Sequence, residues 1–149
     1  MLRKLNVVSD KPDQFAVTSA QLTNGMVVSK DYATGKISAA TGAGDYFVEA
    51  QKNYDGLNAV VAPTDGDFET IKSGETAILI PTYVGERYAT SACATGLTVG
   101  DPLTVTSGAF AKQSAKSAAY QWVYGGTYSD PTGTLYIVEK IPASTTAAS

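Results

Sequence analysis

The chain has no histidine and a single cysteine among its 149 residues. The commonest general base and the commonest metal ligand are therefore both missing, and a Ser-His-Asp triad cannot form. One cysteine excludes an intrachain disulfide. Cys93 stands among small neighbours, Ser91-Ala92-Cys93-Ala94, with no adjacent base or cation to activate a thiolate, and reads as a packed filler. Charge is also scarce, at 17% of residues against a usual share of about 25%. Its balance is mildly acidic, with a net charge of −3. Nucleic-acid affinity rests on neutralising phosphates with clustered Lys and Arg, and the densest basic pair here is Arg3-Lys4, so no nucleic-acid partner is expected. No apolar run approaches the ~20 residues of a membrane-spanning helix. Residues 1–8 lack the apolar centre of a secretory signal. No membrane partner is expected, and synthesis in the cytoplasm is.

Gly, Ser, Thr and Ala fill the space that charge vacates. With β-branched and aromatic residues in short runs between turn clusters, they predict an all-β fold: a single compact β-barrel or β-tulip-like domain of short antiparallel strands and hairpins, with little helix. The length suits one domain with a core that needs no staples. We divide the chain into an N-terminal arm with the first strands (1–20), a β-domain (21–142) and a disordered tail (143–149), because the tail has no apolar residue larger than alanine.

One phrase occurs three times: an apolar anchor, two spacers, a glycine, then a strand. Its copies are Leu22-Thr23-Asn24-Gly25, Ile71-Lys72-Ser73-Gly74-Glu75 and Leu97-Thr98-Val99-Gly100-Asp101. The glycine supplies a positive φ for a tight turn. The anchor packs back onto the core, and the acidic residue accepts hydrogen bonds from turn amides. Gly35-Lys36-Ile37 and Gly108-Ala109-Phe110 follow the first and third copies, which suggests two related hairpins on opposite sides of a barrel. Further strands are expected at 5–8, 15–17, 46–49, 58–62, 77–81, 120–124 and 134–141. A helical turn is expected only at 68–72 or 114–120.

Candidates for chemistry are few. Asp65, Asp67 and Glu69 alternate as calcium ligands do, but the rest of a calcium loop is missing, and a solvated loop is the simpler reading. Neighbouring Ser and Lys at 29–30, 72–73 and 116–117 are chance pairs. We expect no catalytic residue, no metal and no cofactor. Tyr120, Trp122 and Tyr124 share one strand face by their period of two. They form either a packed core face or an aromatic interaction face for a sugar or a protein.

The runs Glu75-Thr76-Ala77-Ile78-Leu79-Ile80-Pro81, Gly85-Glu86-Arg87-Tyr88-Ala89-Thr90 and Leu97-Thr98-Val99-Gly100-Asp101-Pro102-Leu103-Thr104-Val105, with Gly108-Ala109-Phe110, resemble the capsid decoration (cement) proteins of tailed bacteriophages. Gln21-Leu22-Thr23-Asn24-Gly25-Met26-Val27-Val28 is similar to an early hairpin of that family. The resemblance implies a non-enzymatic virion protein on the outer capsid surface. Such a protein bridges major capsid protein subunits, stabilises the shell and self-associates, with a trimer the preferred state. It carries over no catalytic residue. Leu2, Arg3, Lys4 and Leu5, an apolar-basic mixture ahead of the first turn, are the expected contact with capsid or a neighbouring copy. The alternative is a β-domain that binds glycans or a host surface through Tyr120, Trp122 and Tyr124.

Overall fold

The computed structural model describes residues 1–6, 14–50 and 69–147. Its strands are β1 (Leu2–Asn6), β2 (Gln14–Thr18), β3 (Leu22–Thr23), β4 (Val27–Lys30), β5 (Lys36–Ala39), β6 (Tyr46–Ala50), β7 (Thr70–Ile71), β8 (Thr76–Pro81), β9 (Arg87–Thr90), β10 (Pro102–Thr106), β11 (Ala109–Lys112), β12 (Ala119–Asp130) and β13 (Gly133–Thr145). Five of them close a barrel in the order β2-β5-β4-β6-β8, and six form a sheet in the order β1-β9-β13-β12-β10-β11. The expected all-β class holds. Every pairing in the barrel is antiparallel except β2 with β5. The expected strand at 58–62 and the acidic pair Asp65 and Asp67 lie outside the described residues.

Alternation along three strands explains how barrel and sheet become one body. Successive side chains of a strand point to opposite faces. Val28, Val48 and Leu79 fill the barrel with Ala16, Leu22, Ile37, Ile71 and Ala77. Their chain neighbours Val27, Phe47 and Ile80 face the six-stranded sheet and pack with Tyr88, Leu103, Val105, Phe110, Trp122 and Val138. Strands β4, β6 and β8 thus form a wall between two cores, which is why they read as continuous apolar pairs rather than as alternating strands. Strand β2 has one buried face only, and Phe15 and Val17 point outward. Phe47 centres the second core, with ring centroids 4.8 Å from Tyr88, 5.7 Å from Trp122 and 6.0 Å from Phe110. Tilted and edge-on contacts of this kind contribute about 0.5–1.5 kcal/mol each beyond area burial.

The repeated phrase folds the same way each time. The carbonyls of Thr23, Lys72 and Thr98 accept the amides of Met26, Glu75 and Asp101 at 3.1, 3.1 and 2.9 Å. The glycine before each of those amides has φ of 83, 85 and 92°, the signature of a type II turn. Glu75 Oε2 accepts the Lys72 amide at 2.7 Å, and Asp101 Oδ2 accepts the Thr98 amide at 2.8 Å. In the first copy Met26 Sδ stands in the acidic place, 3.4 Å from the Thr23 amide. The first two copies also meet, because β3 pairs with β7 and sets Leu22 opposite Ile71. A strand therefore occupies Thr70–Ile71, inside the 68–72 stretch where a helical turn was one expectation; Glu69 just before it is helical, and residues 114–120 hold no helix.

A fourth copy escaped the sequence reading. Glu86 donates its amide to the Tyr83 carbonyl at 3.2 Å around Gly85, at φ 92°. Glu86 Oε2 accepts the Tyr83 amide at 2.9 Å. The anchor position here is Thr82, which is polar, so the apolar-anchor rule did not find it.

Two further expectations are corrected. The two glycine hairpins adjoin one another instead of lying on opposite sides of a barrel: the Val27 amide donates to Gly108 O and the Gly108 amide to Ala40 O, each at 2.8 Å. The expected tail is partly strand. Residues 143–145 end β13, with Ser144 opposite Tyr120 and Thr145 opposite Ala119. Backbone pairing does not require large side chains, so the absence of an apolar anchor did not free this segment.

Candidate interaction surface

Strand β1 lies at one edge of the six-stranded sheet, paired with β9 from Leu2 opposite Thr90 to Asn6 opposite Arg87. Residues 2–6 are therefore part of the folded body. Leu2 is buried in the core below the sheet, which corrects its expected role as a contact residue. Arg3 is partly tied down. Its Nε donates to Asp130 Oδ2 at 2.7 Å, and Thr132 adds its amide at 3.0 Å and its hydroxyl at 2.6 Å to Oδ1. These hydrogen bonds, that from Arg3 first, hold the Asp130 carboxyl far below the usual carboxylate range, and the same contact raises the Arg3 guanidinium. Lys4 is exposed and Leu5 half-buried, so these two, with the outer face of Arg3, remain available to a partner. The Met1 amine donates to Asn24 O at 2.9 Å and Ser91 Oγ at 2.7 Å and lies 3.0 Å from Glu69. A bulge between Lys4 and Asn6 twists the edge, a common way to keep an edge strand from indiscriminate pairing.

The aromatic strand face turns inward. Trp122 and Tyr124 are 3% and 5% exposed, so the core reading is correct for them and the interaction reading is not. Trp122 meets Phe110 edge-on at 5.2 Å. Tyr120 is half-buried at the mouth of a cleft of about 130 Å³ that also touches Leu103, Trp122 and Ala143.

Other groups with chemical potential are used to hold the fold. Lys140 is buried, with Nζ donating to Asp45 Oδ1 at 2.7 Å and Thr82 Oγ1 at 2.9 Å, 5.6 Å from the Trp122 ring centre. Glu86 is wholly buried and accepts the Tyr88 hydroxyl at 2.6 Å. Burial first, and then this hydrogen bond, raise the Tyr88 hydroxyl pKa. Ser73 Oγ donates to Ser19 O at 3.1 Å, which commits one of the neighbouring Ser-Lys pairs. Burial pushes the Cys93 thiol up to about 11, in keeping with a filler. Among the described residues no three His, Cys, Asp or Glu side chains gather as a metal site.

An exposed aromatic group sits elsewhere. The β4–β5 hairpin turn carries Tyr32, 77% exposed, and the fourth glycine turn carries Tyr83, 54% exposed. Tyr32 and Tyr46 bring their hydroxyls within 3.3 Å, and Lys30 Nζ lies 5.7 Å from the Tyr32 ring centre. Ser29, Lys30, Tyr32, Asp45 and Tyr46 line a pocket of about 200 Å³. The Tyr46 hydroxyl is pushed up to about 12, first by its hydrogen bond to Tyr32 and next by burial, with the Asp45 carboxylate adding negative charge nearby. Sequence reasoning weighed tyrosines in a strand and missed those on turns. A tyrosine inside a Lys-Asp-Tyr-Ala-Thr-Gly turn was the available signal, since a turn residue has no core face to occupy.

No family model matches the chain, and neither does any curated protein or solved structure.

Proposed function

We propose that this protein is a structural virion component that binds the outer surface of a phage capsid and stabilises the shell by bridging major capsid protein subunits. The observation that carries the reading is the build of residues 97–112, the part of the chain on which the resemblance to decoration proteins chiefly rests. The Leu97 turn opens directly into the β10–β11 hairpin, and Lys112 on the return strand reaches back to Asp101 Oδ1 at 2.7 Å. The ion pair thus ties the turn to the return strand of its own hairpin. Its Asp101 carboxyl is held below its ordinary pKa, first by Lys112 and then by the Thr98 amide. Polar groups buried for bracing, Lys140 and Glu86, suit a protein whose work is mechanical.

On this reading many copies bind one shell, and weak individual contacts add up through avidity. Self-association, with a trimer as the preferred state, multiplies the effect. The partner-facing part of β1 is Arg3, Lys4 and Leu5. The test is co-sedimentation with capsids of the parent phage that lack this protein. Saturable binding by the native chain, weakened by a K4E/L5S double substitution on this exposed edge, supports the proposal. No binding by the native chain refutes it, and unchanged binding by the double variant removes β1 from the contact.

A further inference from the structure

The pocket beside the β4–β5 hairpin has the chemistry of a ligand site that the capsid reading does not use. Its lining is mixed in a particular way. Two tyrosyl hydroxyls 3.3 Å apart each donate and accept, as does Ser29. Lys30 forms no ion pair among the described residues and lies near the Tyr32 ring, at 5.7 Å from its centre. Asp45 supplies a carboxylate that also holds Lys140 at 2.7 Å. Gly44 brings the backbone close: a Cβ there would stand 2.5 Å from Val27 Cγ1 and 2.9 Å from the Ala40 Cβ. The floor is therefore fixed by packing against the core wall. Tyr32 remains 77% exposed, a large aromatic surface left to solvent where burial normally stabilises.

We infer that this pocket binds a neutral sugar, with a pyranose ring laid against Tyr32 and its hydroxyls on Tyr46, Lys30 and Asp45. Three alternatives fit less well. An anion is opposed by the Asp45 carboxylate. A metal ion has one carboxylate and otherwise hydroxyls and an ammonium. An apolar peptide side chain would strand the hydroxyl pair without water. A sugar uses every group present: its hydroxyls both donate and accept, and its C–H face lies on an aromatic ring. The volume, about 200 Å³, leaves room for one sugar ring. Affinity for a monosaccharide is expected on the order of millimolar.

The test is an amide chemical-shift titration of the full chain with methyl glucoside, methyl galactoside and N-acetylglucosamine, and separately with inorganic phosphate. At least one sugar should give saturable shifts confined to residues 29–32 and 43–46, and phosphate should give none there. Tyr32→Ala, at an exposed turn position that leaves the fold intact, should weaken binding about tenfold or more, a difference of about 1.4 kcal/mol. Tyr46→Phe keeps the ring, loses one hydroxyl and should weaken it several-fold. The inference is overturned if none of the three sugars shifts these amides, if Tyr32→Ala binds as the native chain does, or if phosphate binds there and sugars do not. Capsid binding does not enter this titration, so this inference and the capsid proposal fail separately.

Discussion

Replacing glycine by alanine at Gly25, Gly74 and Gly100 should give unequal losses, although the turns are alike. These three glycines hold a positive φ between 83 and 92°. Placing an L-residue there costs about 1–2 kcal/mol, offset by about 0.4–1 kcal/mol from the stiffer unfolded chain. Gly74 and Gly100 face open space, with nothing within 4 Å of an added Cβ, so G74A and G100A should lose about 1 kcal/mol each. Gly25 differs. Its Cβ would stand 2.5 Å from the Met1 carbonyl oxygen and 2.7 Å from Thr90 Oγ1. That oxygen accepts the Ser91 amide, and that hydroxyl donates to Gly25 O at 2.8 Å. Relieving the clash means shifting backbone where β1, β9 and the first turn meet, an overpacking cost of about 1–3 kcal/mol on top of the strain. G25A should therefore lose about 2–4 kcal/mol. Urea unfolding reads this directly. With a slope near 2 kcal/mol/M, the midpoint should fall by about 0.5 M for G74A and G100A and by about 1–2 M for G25A. Equal shifts at the three sites would refute the reasoning, since the turn alone would then set the cost.

Other outcomes follow from the buried charges. Lys140 is 7% exposed at its side chain and its partner Asp45 71%, so removing either should be asymmetric. D45A leaves a buried ammonium with Thr82 and the Trp122 ring but no counter-charge and should cost about 2–3 kcal/mol, whereas K140M should stay within about 1 kcal/mol; the reverse order in urea unfolding would overturn this expectation. The lowered Asp130 pKa contributes stability that is fully present above the ordinary carboxylate value near about 3.9 and is lost as pH falls below it toward the folded value. D130N should accordingly lose less stability between about pH 5 and pH 3 than the native chain, and an identical pH profile would show that the Arg3–Asp130 contact is not maintained. With its thiol raised to about 11, Cys93 should react with a disulfide reagent at neutral pH roughly two orders of magnitude more slowly in the folded chain than in urea.

What was legible in the sequence was whatever local chemistry dictates. Gly25, Gly74 and Gly100 announced their turns, and the alternation of Leu103 and Val105, then Phe110, announced a hairpin with one buried face. The wall strands were legible as apolar runs, but not as a partition between two cores, because Phe47-Val48 and Leu79-Ile80 look alike whichever side each residue faces. The Tyr83–Glu86 turn was hidden by a polar anchor, and β7 by a segment of two residues whose strand character comes from pairing with Leu22–Thr23. Residues 143–145 are held by backbone hydrogen bonds that composition does not reveal. The candidate site was least legible of all. Tyr120, Trp122 and Tyr124 gave a clear period, and period marks a face without saying whether it looks inward. Tyr32 and Tyr46 come from separate segments and meet only through the barrel and its hairpin turn.

Imaging by electron cryomicroscopy bears most directly on the proposed role. Capsids lacking this protein are incubated with it, washed and reconstructed. Density of this β-domain is expected on the outer surface, at regular positions between major capsid protein subunits and at near-full occupancy. An unaltered bare shell, or density confined to the capsid interior or the tail, would contradict the proposed role.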